Sequence, residues 1–319
     1  MYRAWWLSVV LGLVVLGCCP AAEAKDQADP ETPVEDHRPV LRFGLPPWQK
    51  AQSQDEIREQ YQMVLDWLGK NLGYRIVVVG GRSYEDMIDL VAKGQVQIAA
   101  MSPVPYVQAK RKNPQVELLL TELKWNESKT ERLDSYHGYV VARQDRADVV
   151  TVADLRGKRI AFVNLESTSG WRYPHSQLLG QGLDVRTQAT ALFLGSHPRV
   201  TDAVVAGSVD AGATWDFNLH EAQQKHGDVF KIVLSTPPIP NICLVAHGSV
   251  SADMRAKIRE ALLAAPAEVF DKAPMCGYEL RPDAFYDVVR TLLDSETLPE
   301  PSTPPIPAPP TKIPPGSTP

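Results

Sequence analysis

Ser167-Thr168-Ser169-Gly170 follows a short β-rich run, Arg159 to Val163, and precedes a helical pattern, Trp171 to Leu179. Free backbone N–H groups at a helix start, joined by small hydroxyl side chains, make a donor-rich pocket suited to a tetrahedral oxyanion. Gly170 allows the backbone to come close. The same residue types also serve as a plain helix cap. The segment lacks the Lys and the Gly-x-x-x-x-Gly frame of a nucleotide-binding loop, so nucleotide hydrolysis finds no support. His197, in Gly195-Ser196-His197, lies between the apolar run Ala191 to Leu194 and a helix expected from about Arg199. Strand ends of α/β sheets are where ligands bind, and a histidine there can donate to a phosphoryl oxygen. An exposed loop histidine is the alternative.

The same side chains admit an enzyme reading, with Ser167 or Ser169 as nucleophile, His197 as base and Asp210 or Asp216 as the orienting acid. No Gly-x-Ser-x-Gly pattern surrounds either serine, which weighs against it.

These residues must be held by an alternation of short β-rich runs and longer helical ones between about Val40 and Leu298, the pattern of an α/β fold. Leu41 to Gly44 reads as a strand. Ser53 to Leu72 reads as a helix with Ile57, Tyr61, Val64, Leu65 and Leu68 on one face, Ser53 as N-cap and Asp55 and Glu56 in its first turn. The scheme repeats as Arg75 to Val79, Tyr84 to Ala92 and Val96 to Met101, giving βαβ units. Further strands are expected at Gly138 to Ala142, Arg159 to Val163, Thr190 to Phe193, Ala211 to Thr214 and Lys231 to Leu234, with late helices at Ala252 to Ala264 and Pro282 to Leu293. Tyr139 to Ala142 and the stretch Ser235 to Asn241, extended by Pro237, Pro238 and Pro240, are the expected crossings between two lobes. The boundaries that follow are 39–141 with 241–298 for the first lobe and 142–240 for the second.

The 319 residues are 44% apolar, with 33 basic against 38 acidic side chains and a net charge of −5. That excludes disorder throughout and argues against a nucleic-acid partner. Met1-Tyr2-Arg3 and the apolar run Trp5 to Gly17 form a secretory signal over 1–24, too short for a comfortable membrane span. Val15-Leu16-Gly17-Cys18 fits lipidation at Cys18, and Ala22-Glu23-Ala24 fits ordinary cleavage; the former is preferred. Residues 25–38 form a flexible linker, and the last 21 residues, 299–319, hold 10 of the 27 prolines and form a spacer.

Cys243 and Cys276 remain for the mature fold, as a disulfide or as buried thiols. Without CxxC or HExxH spacing no metal is expected, and no cofactor is invoked. Trp67, Trp125, Trp171 and Trp215 read as core or rim residues, and Lys124 to Asp134 as a solvated loop.

Asp154-Leu155-Arg156-Gly157-Lys158, Ser167-Thr168-Ser169-Gly170, Gly195-Ser196-His197 and Val209-Asp210-Ala211-Gly212, in that order, resemble the phosphonate- and phosphite-binding proteins of ABC transporters. The likeness runs from Phe43-Gly44 to Ile239-Pro240. It implies a type II periplasmic binding fold, two α/β lobes joined by a two-segment hinge and closing on a small oxyanion. It also implies ligand contacts from Ser167, Thr168 and His197, with Ser169 in the same loop, from Tyr84, and from Tyr136 with Tyr139 as the register alternative. Members that bind aminoalkyl phosphonates place acids in the cleft. Here Ile239-Pro240-Asn241 offers none, and Trp215-Asp216-Phe217 offers one only in the register of Asp216. Phosphite, phosphate or a simple alkylphosphonate is therefore the expected ligand.

The function expected is that of a non-catalytic, monomeric, extracytoplasmic solute-binding protein serving a membrane ABC permease, touching the membrane only through a lipid on Cys18. A ligand-sensing receptor with the same fold is the alternative from another class.

Overall fold

The computed structural model describes residues 36–45 and 54–295. The signal, the linker up to residue 35, Cys18, Ser53 and the tail 299–319 lie outside them, as do the side chains of Asp55, Glu56 and Ile57. The described residues from Arg38 onward belong to one unit.

In chain order the first elements are β1 (Val40–Leu45), α1 (Gln54–Leu72), β2 (Arg75–Gly80), α2 (Tyr84–Ala92), β3 (Ile98–Met101), α3 (Pro103–Lys112) and β4 (Glu117–Trp125). There follow β5 (Arg132–Leu133), β6 (Ser135–Tyr136), β7 (Gly138–Arg143), β8 (Arg159–Phe162), α4 (Tyr173–Gly180), α5 (Val185–Gln188), β9 (Thr190–Phe193), α6 (His197–Val205), β10 (Ala211–Trp215) and α7 (Asp216–His226). The chain returns through β11 (Phe230–Ser235), β12 (Ile239–Pro240), β13 (Cys243–Ala246), α8 (Ala252–Leu263), β14 (Gly277–Glu279) and α9 (Asp287–Ser295).

One sheet has the order β14-β4-β13-β3-β1-β2, with β5 paired to β4; the other has the order β11-β7-β10-β8-β9. Each is mostly inaccessible on both faces, so its strands are continuous apolar runs whose alternate residues feed two cores. In β3, Ile98 and Ala100 enter the core shared with α1 and α8, while Ala99 and Met101 enter the core shared with α2 and α3. In β8, Ile160 and Phe162 pack with Trp171 and Leu178, and Ala161 with Val200 and Val204 of α6.

β12 pairs antiparallel with β6, Ile239 opposite Tyr136 and Pro240 opposite Ser135. This two-stranded ribbon carries both crossings. The first precedes Gly138, earlier than the expected boundary at 141/142, because Tyr139 to Ala142 is paired on both sides within the second sheet, to β10 and β11.

Two other expectations are corrected, and one helix was not expected. Lys124 to Asp134 is not simply a solvated loop, since Lys124 lies in β4 and Arg132 and Leu133 pair back onto it. α3 escapes the sequence pattern because Pro103 and Pro105 look like breakers, although proline is compatible with a first helical turn, where its missing N–H costs nothing. The run Pro282 to Leu293 is a 3₁₀ turn at Asp283–Tyr286 followed by α9. Cys243 and Cys276 are both free thiols.

Phe162 is fully buried beneath the Ser167 loop, its ring 4.8 Å edge-on from that of Trp171. Phe162→Ala is expected to cost about 3–5 kcal/mol, cavity included, measured as a loss of unfolding free energy in urea. A loss below about 1 kcal/mol would contradict this packing.

Candidate functional site

A chamber between the two sheets is lined by Tyr84, Ser102, Lys124, Tyr136, Ser167, Thr168, Ser169, His197, Trp215, Asn218 and Ile242, and encloses about 500 Å³ of empty space including its mouth. The part of it open to the centres of water-sized spheres is about 30 Å³, room for a few solvent-sized groups. Most of these residues stand where a strand ends and a helix begins. Ser102 separates β3 from α3, Tyr84 opens α2, His197 opens α6, and Trp215 ends β10 at the start of α7. Helix starts bring unpaired N–H groups and positive dipole ends to one place, and both favour an anion.

The Ser167 loop is built locally. Ser167 Oγ accepts a hydrogen bond from Gly170 N at 3.0 Å, and Thr168–Arg172 then forms a single wide π-helical turn leading into α4. A Cβ on residue 170 would sit 2.3 Å from Val163 Cγ2, so only glycine fits. Gly195 has φ +83°, the left-handed conformation that turns the chain from β9 toward Ser196 and His197.

Thr168 spans the chamber, its Oγ1 accepting from Val104 N at 3.1 Å, a residue of the opposite sheet's α3. Ser167 and Thr168 thus each spend a lone pair on a backbone donor; the Thr168 hydroxyl keeps its hydrogen for an acceptor, while that of Ser167 also meets the Tyr84 phenol. Burial holds the Tyr84 and Tyr136 phenols above their ordinary range, against the pull of the Ser167 and Ser169 hydroxyls, so both are protonated donors at neutral pH.

His197 is 5% exposed, and burial pushes it down to about 3, which leaves the imidazole neutral. Asn218 Nδ2 donates to Thr214 Oγ1 at 2.9 Å, and Thr214 Oγ1 lies 3.4 Å from His197 Nδ1. Thr214 Oγ1 still has a hydrogen to give and a second lone pair; where that hydrogen goes to Nδ1, the neutral ring carries its own hydrogen on Nε2.

Six of the residues expected from sequence line this chamber: Tyr84, Tyr136, Ser167, Thr168, Ser169 and His197. Tyr139 is not among the lining residues. Asp216, expected as a possible acid in the cleft, is not either. Its carboxylate accepts from Phe217 N at 2.8 Å and from His137 N at 3.2 Å, tying the start of α7 to the hinge side. Ser102, Lys124, Trp215, Asn218 and Ile242 were not expected. Ser102 and Trp215 share the strand-end position that drew attention to His197, and Asn218 stands in the first turn of α7, just beyond β10. Lys124 gave no such signal, because a lysine near the end of a charged stretch reads as surface.

Two α/β lobes, a double crossing and a chamber of donors between them define the class: a solute-binding protein of the two-lobed type II periplasmic fold. The model of the family "ABC transporter, phosphonate, periplasmic substrate-binding protein" matches residues 46–280, and the chain belongs to that family. Its members bind solutes for transport outside the cytoplasm; they are not enzymes. The chain is 24% identical over 270 residues, 76% of its length and 83% of the relative's, to the phosphate-import protein PhnD of Mycolicibacterium smegmatis. PhnD1 of Prochlorococcus marinus, solved in complex with methylphosphonate, superposes with a TM-score of 0.68 at 17% identity, covering 80% of this chain and 97% of that one. A binding component of a phosphonate ABC transporter from Pseudomonas aeruginosa gives 0.67 at 17% identity, covering 80% and 86%. Among the described residues no group of three or more His, Cys, Asp or Glu side chains is placed to hold a metal ion, and no helix is long and apolar enough to cross a membrane.

His197 also sets an expected acid response. Unfolded, it binds a proton near 6.5; folded and ligand-free, only near 3. Between those values the unfolded chain holds the extra proton, so the stability supplied by neutral His197 is complete above 6.5 and is lost as the pH falls toward 3. His197→Asn is expected to flatten this part of the ligand-free Tm profile; an unchanged profile would contradict the burial.

Proposed function

We propose that this chain captures phosphite, phosphate or a small alkylphosphonate by hinged closure of its two lobes and presents it to a membrane ABC permease. The observation that carries this reading is the one-sidedness of the chamber: among its described lining residues there are hydroxyl, phenol, imidazole, amide and ammonium donors and no carboxylate. A buried oxyanion must recover in hydrogen bonds what it loses in hydration, and donors without competing acids do that for a ligand made of acceptors.

Ser167 and Thr168 donate their hydroxyl hydrogens to the phosphorus oxygens, His197 donates through Nε2–H, and Tyr84 and Tyr136 donate through their phenols, with Ser169 in the same loop. Asp216 is left out of the contact set, since its carboxylate is engaged by two backbone amides. No described wall residue carries a negative charge to offset an ammonium, and Trp215 and Ile242 give the remaining wall an apolar face. Both favour a ligand whose substituent is apolar or absent. The export signal within residues 1–24 ends before Cys18, the lipidated residue, with 25–38 as a leash and 299–319 as a spacer, and the mature chain works as a monomer.

The test is a thermal-shift and calorimetric panel on the mature chain with phosphate, phosphite, methylphosphonate, 2-aminoethylphosphonate, sulfate and nitrate. A ligand at 100 times its Kd is expected to add about 2.7 kcal/mol of apparent stability, and only phosphorus oxyanions without an amine are expected to do so. Thr168→Ala and His197→Ala are each expected to weaken that binding by about 1.5–3 kcal/mol. Absence of any shift from ligand-free protein, or full affinity in both variants, would overturn the proposal.

A further inference from the structure

Lys124 is the charged side chain among the described residues lining the chamber. Its Nζ lies 5.4 Å from the centre of the Trp215 ring, another wall residue, donates to Pro274 O at 2.7 Å and stands 3.7 Å from Glu122 Oε2. Successive residues of a strand point to opposite faces, so Glu122 and Lys124, two apart in β4, share a face. The ammonium reaches the chamber, and the carboxylate sits behind it.

Glu122 is 0% exposed, and neither carboxylate oxygen makes a hydrogen bond of normal geometry with a described residue. A charged carboxylate in that position relies on Lys124 for most of its compensation. The groups facing it come from each neighbouring element: Tyr61 of α1, Tyr278 of β14, Cys243 of β13 and Lys124 of its own strand. Only Lys124 is cationic. Asp216 and Cys276 also feel the Lys124 charge.

Resting on the reading of the chamber as an oxyanion site, we propose that Lys124 is the cation the oxyanion meets, and that Glu122 behind it takes up a proton as the oxyanion enters. With the chamber free, the ammonium is shared with one carboxylate. With an oxyanion present, the same ammonium faces two negative groups. The buried carboxylate, which solvent cannot help, relieves the conflict by becoming a neutral acid. Burial already pushes Glu122 up to about 7 in the free protein, against the opposing pulls of Lys124 and Tyr61, so the proton comes at little cost near neutrality. By linkage, the Glu122 contribution makes the oxyanion bind more tightly as the pH falls through 7 and less tightly as it rises. A ligand without negative charge gains nothing from the device.

The test is calorimetry with methylphosphonate on the full mature chain, wild type, Glu122→Gln and Lys124→Met, in buffers of different ionisation enthalpy. The protons that methylphosphonate itself gains or loses are common to wild type and Glu122→Gln, so their difference isolates Glu122. Wild type is expected to take up more protons per ligand than Glu122→Gln, which is expected to hold the ligand more tightly than wild type at alkaline pH. Lys124→Met is expected to weaken binding roughly tenfold or more, as for a lost charge-assisted hydrogen bond. Difference infrared spectra of wild type alone supply a readout that needs no variant: addition of methylphosphonate is expected to raise the carbonyl band of a buried carboxylic acid. Equal proton uptake with no new acid band, or unchanged affinity in Lys124→Met, would overturn this inference. If wild type binds none of methylphosphonate, phosphite and phosphate, the oxyanion reading itself falls.

Discussion

Enclosing a multiply charged solute in protein is governed by its lost hydration, and the arrangement of this chain follows from that constraint. Water offers an anion donors from every side. A chamber that replaces water must converge donors from several elements and keep acceptors out. Open α/β sheets supply the first requirement almost automatically, because each strand ends where a helix begins and each helix begins with free N–H groups. Here two such sheets turn those ends toward one another, and Ser102, Tyr84, Thr168 and His197 all stand at or beside a helical start. Exclusion of acceptors is met by occupying them elsewhere: Ser167 and Thr168 already accept from backbone amides, and Asp216 is spent on the start of α7.

The remaining parts keep those donors in their protonated and correctly oriented forms. The Asn218–Thr214 pair stands beside Nδ1 of His197 and orients the ring from behind. Burial keeps both tyrosine phenols undissociated. Gly170 permits a loop too tight for any side chain, set against Val163 of the strand end that precedes it. Beneath these lies an aromatic floor of Phe162, Trp171 and Phe193, which fixes the height of the loop relative to the sheet.

Local patterns were readable where the chemistry is local. The hydroxyl loop, the Gly-Ser-His turn and the strands before them announce themselves within a few residues, and the helix Tyr84–Ala92 has the bounds its cap and periodicity predict. What escaped depends on distant partners. Glu122 and Lys124 look like surface residues in Glu117–Trp125, and only the arrival of Tyr61 from α1 and Tyr278 from β14 makes that face interior. The position of the crossing could not be read from Tyr139 to Ala142 alone, because an inner strand and a linking segment have the same composition until their partners are known. Asn241 illustrates the same point: absence of an acid there was legible, whereas its amide, donated to Glu122 O and Leu133 O, acts as a strut between the first sheet and the hinge.

The ribbon of β6 and β12 is short, two residues on each side. Two antiparallel tethers bonded to each other constrain relative movement more than one, since twisting about either is resisted by the other. Tyr136 belongs to this ribbon and to the chamber wall at once. Under the proposed hinged closure it is therefore the wall residue displaced least, and the wall residues farthest from the ribbon travel most, so the ribbon holds one donor in register while the others are brought to it.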